Sequence, residues 1–193
     1  MSERRKLVAG NWKMNGGLAA NQALVQALRG GVGQPVCDVA VCPPPVYLAQ
    51  LQQLLAGQAA IALGAQDVSQ HEGGAFTGDV SAAMLKDFGV RYAIVGHSER
   101  RQYQGETDLQ VATKVKRALA AGITPIVCVG ETLSEREQGL TEFIVRRQLS
   151  AVIQRDWHCI SSKLEPDWTA GATGTGNNPT PNSAHAHHSE KRR

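Results

Sequence analysis

No apolar run in the chain reaches the roughly 18 residues that a membrane-spanning helix needs, so a transmembrane segment is excluded. The opening Met1-Ser2-Glu3-Arg4-Arg5-Lys6-Leu7 is basic but has no apolar stretch of signal-peptide length, and a cytoplasmic location is expected. Neither sign of charge is in excess. Twenty Lys and Arg against 17 Asp and Glu give a net charge of +3, too mild for a nucleic-acid or anionic-membrane partner. Cysteine is scarce: Cys37, Cys42, Cys128 and Cys159 contain no CxxC pair, and two of them lie in strand-like apolar runs. Reduced, mostly buried thiols fit that pattern. What the 193 residues do contain is 42% hydrophobic content, enough for the core of one domain.

Two periods alternate along the first 155 residues. Short apolar runs at Lys6–Gly10, Asp38–Cys42, Ile61–Ala65, Tyr92–Val95 and Thr124–Val129 predict strands covered on both faces. Helical patterns lie between and after them, near Leu18–Arg29, Val46–Leu55, Ser81–Phe88, Asp108–Ala121 and Thr141–Gln154. In the last of these, Phe143, Ile144, Leu149, Val152 and Ile153 form one apolar stripe, with Arg146, Arg147 and Gln148 off its centre. Five strand–helix units in series imply parallel strands joined by right-handed crossovers. Both a closed βα barrel and an open doubly wound sheet satisfy that pattern, and in both the ligand binds at the carboxyl ends of the strands. From Asp156 the pattern changes. Residues 156–176 contain a polar lead-in and a Gly/Thr-rich stretch, and 177–193 form a polar tail without the apolar content to fold alone. His185, His187 and His188 in that tail have no cysteine or acidic partner at ligand spacing, so no metal site is assigned.

The segments after each strand carry the candidate chemistry. Asn11-Trp12-Lys13 puts a lysine at the sheet mouth, either as an anion anchor or as an ordinary solvated cation. Gln66–Asp79 is a long loop with three glycines, which reads as a mobile surface loop or as an interface arm with Phe76 at its tip. Gly96-His97-Ser98-Glu99 brings an imidazole and a carboxylate to the end of the fourth strand, as an acid–base pair or as a satisfied loop histidine beside a surface ion pair. Glu131 after the fifth strand reads as a catalytic carboxylate or, preferably, as a structural cap for the next helix. Gly30-Gly31-Val32-Gly33 follows a helix rather than a strand, and reads as a helix stop, not a phosphate loop.

Taken together, Ala9–Asn15, Gly64–Asp67, Gly74–Gly78, Ile94–Arg101 and Val127–Glu131 resemble the triosephosphate isomerases, in order and in register over about residues 6–155. The resemblance implies a (β/α)8 TIM barrel, a homodimer, no cofactor or metal, and a small phosphorylated triose as substrate. It also implies interconversion of dihydroxyacetone phosphate and glyceraldehyde 3-phosphate through an enediolate, in glycolysis and gluconeogenesis. Carried over residue by residue, Asn11 and Lys13 bind substrate, Lys13 holding its negative charge. His97 is a neutral electrophile, as in the family's known mechanism. Ser98 and Glu99 support it, Glu99 pairing with Lys13. Thr77, next to Phe76, enters the partner's active site.

The base would be Glu165, and Gly176 would bind substrate as part of Gly174-Thr175-Gly176, with extra residues between Trp168 and Gly174 relative to the family. Asp167 stands where the family has a valine, and nothing after Gly176 resembles strands seven and eight. An incomplete barrel of five to six βα units is therefore expected: a barrel portion at 1–155, a degraded sixth strand and flap at 156–176, and a disordered tail at 177–193. The alternative to an active isomerase is an inactive truncated fragment, acting at most as a dimer-interface binding module. A different phosphate-handling βα enzyme is a third reading, one that needs a glycine-rich phosphate loop the sequence does not offer.

Overall fold

The computed structural model describes residues 6–160, with side chains for residues 6–153. The elements alternate: β1 (Leu7–Asn11), α1 (Leu18–Gly31), β2 (Asp38–Cys42), a 3₁₀ turn at Pro45–Tyr47 leading into α2 (Leu48–Leu54), β3 (Ala62–Ala65), α3 (Ala82–Asp87), β4 (Tyr92–Val95), α4 (Ser98–Tyr103), α5 (Asp108–Ala120), β5 (Thr124–Val127), α6 (Leu133–Glu137) and α7 (Thr141–Ile160). All four pairings are parallel, and the strand order is β1-β2-β3-β4-β5. Each strand thus adds beside its predecessor. A doubly wound sheet reverses its strand order at a switch point, and this sheet has none. The alternative left open by periodicity is settled for the barrel: the described residues supply five of its eight strands.

Side-chain alternation along the strands makes two layers. Val41, Leu63, Ala65, Ala93 and Val95 point outward and pack with Val25, Leu51, Leu85, Val111, Val115 and Val152 of the helices. Ala40, Ala62 and Tyr92 point inward and pack with Leu7 and Ile126. One position of the inner layer is set by a close approach. A Cβ at Gly64 would lie 2.5 Å from the Cys42 Sγ, so the thiol of β2 fills the space that any side chain on β3 would need. Burial pushes the Cys42 thiol up to about 12 and the Cys128 thiol up to about 11, and both are free, as is Cys37. β4, paired on both sides, is buried throughout. β1, paired only with β2 among the described residues, leaves Val8 58% exposed.

Three local expectations are corrected. α4 and α6 are helices that the apolar periodicity did not mark. α6 follows from a capping box in which Thr132 accepts from the Glu135 N–H and Glu135 returns the bond to the Thr132 N–H. α7 runs past the expected helix end at Gln154 to Ile160, because Gln154–Ile160 contains no Gly or Pro to stop it. Its buried stripe also differs. Ile144, Val145, Gln148 and Val152 are buried, whereas Phe143 is 63% exposed. Gln148 faces in because its amide brackets Gly130, accepting from the Gly130 N–H at 2.8 Å and donating to its carbonyl at 3.0 Å.

Candidate active site

The carboxyl ends of β1 and β4 bring three predicted residues together. Lys13 follows β1 and has φ 52°, the one non-glycine residue with positive φ among those described. An L-residue adopts that region at a cost of about 1–3 kcal/mol, and only where its surroundings hold it there. The Asn11 side chain does part of this by accepting the Lys13 N–H at 2.9 Å. The turn delivers the Lys13 ammonium to Glu99 Oε1 at 2.6 Å. Asn11 therefore acts on the Lys13 backbone through its carbonyl oxygen.

His97 caps α4. Its Nδ1 accepts the Glu99 N–H at 3.3 Å, and Glu99 Oε2 lies 3.5 Å from the same nitrogen. A ring nitrogen that accepts an amide proton carries no proton of its own, so the neutral ring is protonated on Nε2 and donates from there. Burial lowers the His97 pKa below 6.5, and the Lys13 ammonium lowers it further, against an upward pull from Glu99. The imidazole therefore stays neutral at physiological pH and is a hydrogen-bond donor rather than a cation. All three side chains are half-buried, with 32% of Lys13, 23% of His97 and 43% of Glu99 exposed, so solvent and a ligand can reach them. Ser98 opens α4 and faces solvent.

The chain at the end of β4 turns at Gly96, with φ 70° and no room for a Cβ, which would meet the Val111 methyls at 2.8 and 2.9 Å. Arg101 fixes that turn by donating from Nε to the Gly96 carbonyl at 2.8 Å and from Nη1 to Asp108 at 2.6 Å.

The long loop 66–79 has a pinned base and an exposed tip. Ser69 N–H donates to the Val80 carbonyl at 2.8 Å, and Ser69 Oγ to Asp79 at 2.5 Å. Arg117 holds the Gln70 carbonyl at 3.1 Å and pairs with Glu72. Residues 72–79 are exposed, Thr77 among them. Phe76 is stacked on His71 with ring centroids 3.5 Å apart. The loop is thus a braced projection rather than a loose one. Glu165 and Gly176 lie outside the described residues.

Two features escaped the sequence. Glu131 is buried as expected of a structural carboxylate, but it caps no helix. It accepts from Arg136 at 2.7 Å and from Thr141 at 3.3 Å, and the Arg136 bond holds it below the usual carboxylate range. A second ionic cluster lies beneath the loop. Lys114 donates to both Asp67 oxygens at 2.8 and 2.7 Å and pairs with Glu106, while Arg100 reaches Glu106 at 2.5 Å and Asp67 at 2.9 Å. The available signal was Lys114 on the apolar stripe of α5, level with Val111, Val115 and Ala118.

A parallel βα half-barrel that brings a lysine, a neutral histidine and a carboxylate to the carboxyl ends of its strands defines the TIM-barrel class. The sequence model of triosephosphate isomerase matches residues 6–193, so the match continues past residue 155, where the legible motifs end. A triosephosphate isomerase of Albidiferax ferrireducens is 68% identical over 176 residues, covering 90% of this chain and 70% of that protein. Those of Paracidovorax citrulli and Delftia acidovorans are 63% and 59% identical, each covering 96% of this chain and 74% and 75% of their own lengths. The chain belongs to the triosephosphate isomerase family, and hence to the isomerases.

Proposed function

We propose that this chain interconverts dihydroxyacetone phosphate and glyceraldehyde 3-phosphate by proton transfer through an enediolate. The observation that carries the reading is the Lys13–Glu99–His97 arrangement at the strand mouth. Moving a proton between adjacent carbons builds negative charge on the carbonyl oxygen. A neutral Nε2–H donor stabilises that oxygen, and a nearby ammonium offsets the charge of the phosphate ester. An imidazolium in the same place would give up its proton too readily and would repel Lys13. The lowered pKa of His97 therefore suits the task. The base assigned by family resemblance is Glu165, and Gly176 is the further substrate contact.

The same reading extends to a homodimer in which the braced loop 66–79 carries Phe76 and Thr77 into a partner, and to a cytoplasmic location. No described helix is long and apolar enough to cross a membrane. The test is an isomerisation assay with glyceraldehyde 3-phosphate on the purified chain. Turnover that is abolished by Glu165→Ala is the expected result. A folded chain without turnover, or one indifferent to loss of Glu165, refutes it.

A further inference from the structure

Gln66 is the first residue after β3, one strand removed from the loop that holds Lys13, and it belongs to none of the roles derived above. Its amide nitrogen donates to two backbone carbonyls at once, that of Lys13 at 2.8 Å and that of Cys42 at 2.9 Å. The Cys42 carbonyl also accepts the Trp12 N–H at 3.1 Å, so it already ties the β1 exit to the end of β2. Lys13 is thus gripped from both sides of its own residue: Asn11 holds its N–H and Gln66 holds its carbonyl. Those two bonds flank the one left-handed non-glycine residue described. A residue with positive φ relaxes to ordinary backbone once its flanking peptides are free, and relaxation would swing the side chain away.

We propose that Gln66 is a positioning residue for the reaction: its amide locks the Lys13 carbonyl, and with it the left-handed turn that aims the ammonium at Glu99 and the substrate's negative charge. The chemistry explains the residue type. Two carbonyl acceptors facing one site call for a group with two N–H donors on one atom and no net charge. A primary amide on a two-carbon stem meets that need, while a carboxylate would repel both acceptors. Gln66 touches no reacting atom and acts through Lys13. The proposal rests on the isomerase reading for its kinetic consequence, but not for its structural one.

The test compares wild type with Gln66→Met, which keeps length and removes both donors, and Gln66→Ser, whose vacated space admits a water to satisfy the two carbonyls. Loss of two neutral hydrogen bonds behind a substrate-binding cation should raise KM about tenfold, with a smaller change in kcat. The His97 imidazole, followed by NMR titration, should move upward in both variants. A wandering Lys13 ammonium no longer opposes protonation, and the freed Glu99 favours it. In a Lys13→Met background, Gln66→Met should then change neither quantity, because its effect passes through Lys13.

An unchanged KM and His97 titration in both folded variants, or effects that persist undiminished without Lys13, would overturn the proposal. The NMR arm needs no turnover. A chain that fails to isomerise yet shows the His97 shift therefore refutes the proposed function and leaves the role of Gln66 standing.

Discussion

Two ionic clusters, each built around a lysine and a glutamate, lie within one strand–helix unit of each other, and only one is exposed enough to meet a ligand. At the mouth, Lys13, Glu99 and His97 are half-exposed, and among the described residues Lys13 makes one charged contact, to Glu99. Beneath the 66–79 loop, Lys114 and Glu106 are 7% and 5% exposed, and four groups are consumed by one another. Burial among close partners fixes a structure, even though Glu106 Oε2 has no hydrogen-bond partner among the described residues. Partial exposure with donors to spare leaves a group free to meet a ligand. Even the strain differs. The mouth lysine is carried on left-handed backbone, whereas Lys114 projects from the regular helix α5.

The largest expected effect breaks the buried cluster. Lys114→Met leaves Asp67 and Glu106 sharing Arg100 alone, with Glu106 buried and Asp67 partly exposed. Removing one partner of such a cluster costs about 3–5 kcal/mol. Denaturant unfolding checks it, and the double variant Lys114→Met/Glu106→Leu should regain a large part of the loss, because no buried charge is stranded on Glu106. A loss below about 1 kcal/mol would mean that the cluster is effectively solvated and the contrast between the two sites is false.

The mouth responds in the opposite currency. His97→Gln keeps a donor and an acceptor but loses the ring, and kcat should fall about a hundredfold or more by loss of the positioned proton donor. The melting temperature should barely move, since among the described residues His97 bonds only within its own turn. Steady-state kinetics and a thermal melt on the same preparation separate the two quantities.

A pH series sharpens the difference further. Burial pushes Glu106 up, but the bonds from Lys114 and Arg100 outweigh it and leave the carboxyl below 4.5. Glu131 is held below 4.5 by Arg136. A depressed carboxylate pKa contributes stability that is whole above the unfolded value and disappears as pH falls through the folded one. Stability should therefore hold down to about pH 4.5 and decline below it. Asp67, raised by burial against the pull of Lys114 and Arg100, works in the opposite sense and softens the decline. Glu131→Gln should flatten the acid limb. At the mouth, the lowered pKa of His97 places loss of the neutral imidazole below pH 6.5, so activity should survive the ordinary titration range of histidine. A kcat that falls through pH 6.5 with the titration of His97 would contradict the neutral-donor assignment.

Much of this was readable from residues in a row. Asp38–Cys42 and Tyr92–Val95 are strands to the residue, because continuous apolar runs between turn residues admit little else. The Gly96-His97-Ser98-Glu99 segment stood out as a candidate by its residue types, and the pairing of Glu99 with Lys13 followed from family likeness. What stayed hidden depends on partners far along the chain. Lys114 reaches back 47 residues to Asp67, Gln66 reaches 53 to Lys13, and Gln148 reaches 18 to Gly130. A buried polar residue looks like a surface one until its partner is placed, and no local pattern places it. The short α4 and α6 were missed for a different reason. They are held by caps and charge rather than by an apolar stripe, and the Thr132–Glu135 spacing was the signal to read.

The smallest expected effect is the most discriminating. The Lys13–Glu99 pair is short at 2.6 Å, and a reading based on distance alone would rank it with the buried cluster. Both partners keep about a third or more of their surface in water, and pairs of that kind are worth about 0–1 kcal/mol. Lys13 also holds its backbone at φ 52°, a cost that any non-glycine replacement retains and Lys13→Gly removes. The two terms oppose each other. Lys13→Met should therefore lower stability by less than about 1 kcal/mol, and Lys13→Gly should leave it level or raise it slightly, while both abolish the anion anchor and raise KM. Urea midpoints beside KM values decide the matter. If Lys13→Gly costs stability on the scale of Lys114→Met, the mouth pair is a structural element after all. If it costs none while KM climbs, the strain at Lys13 is maintained for binding.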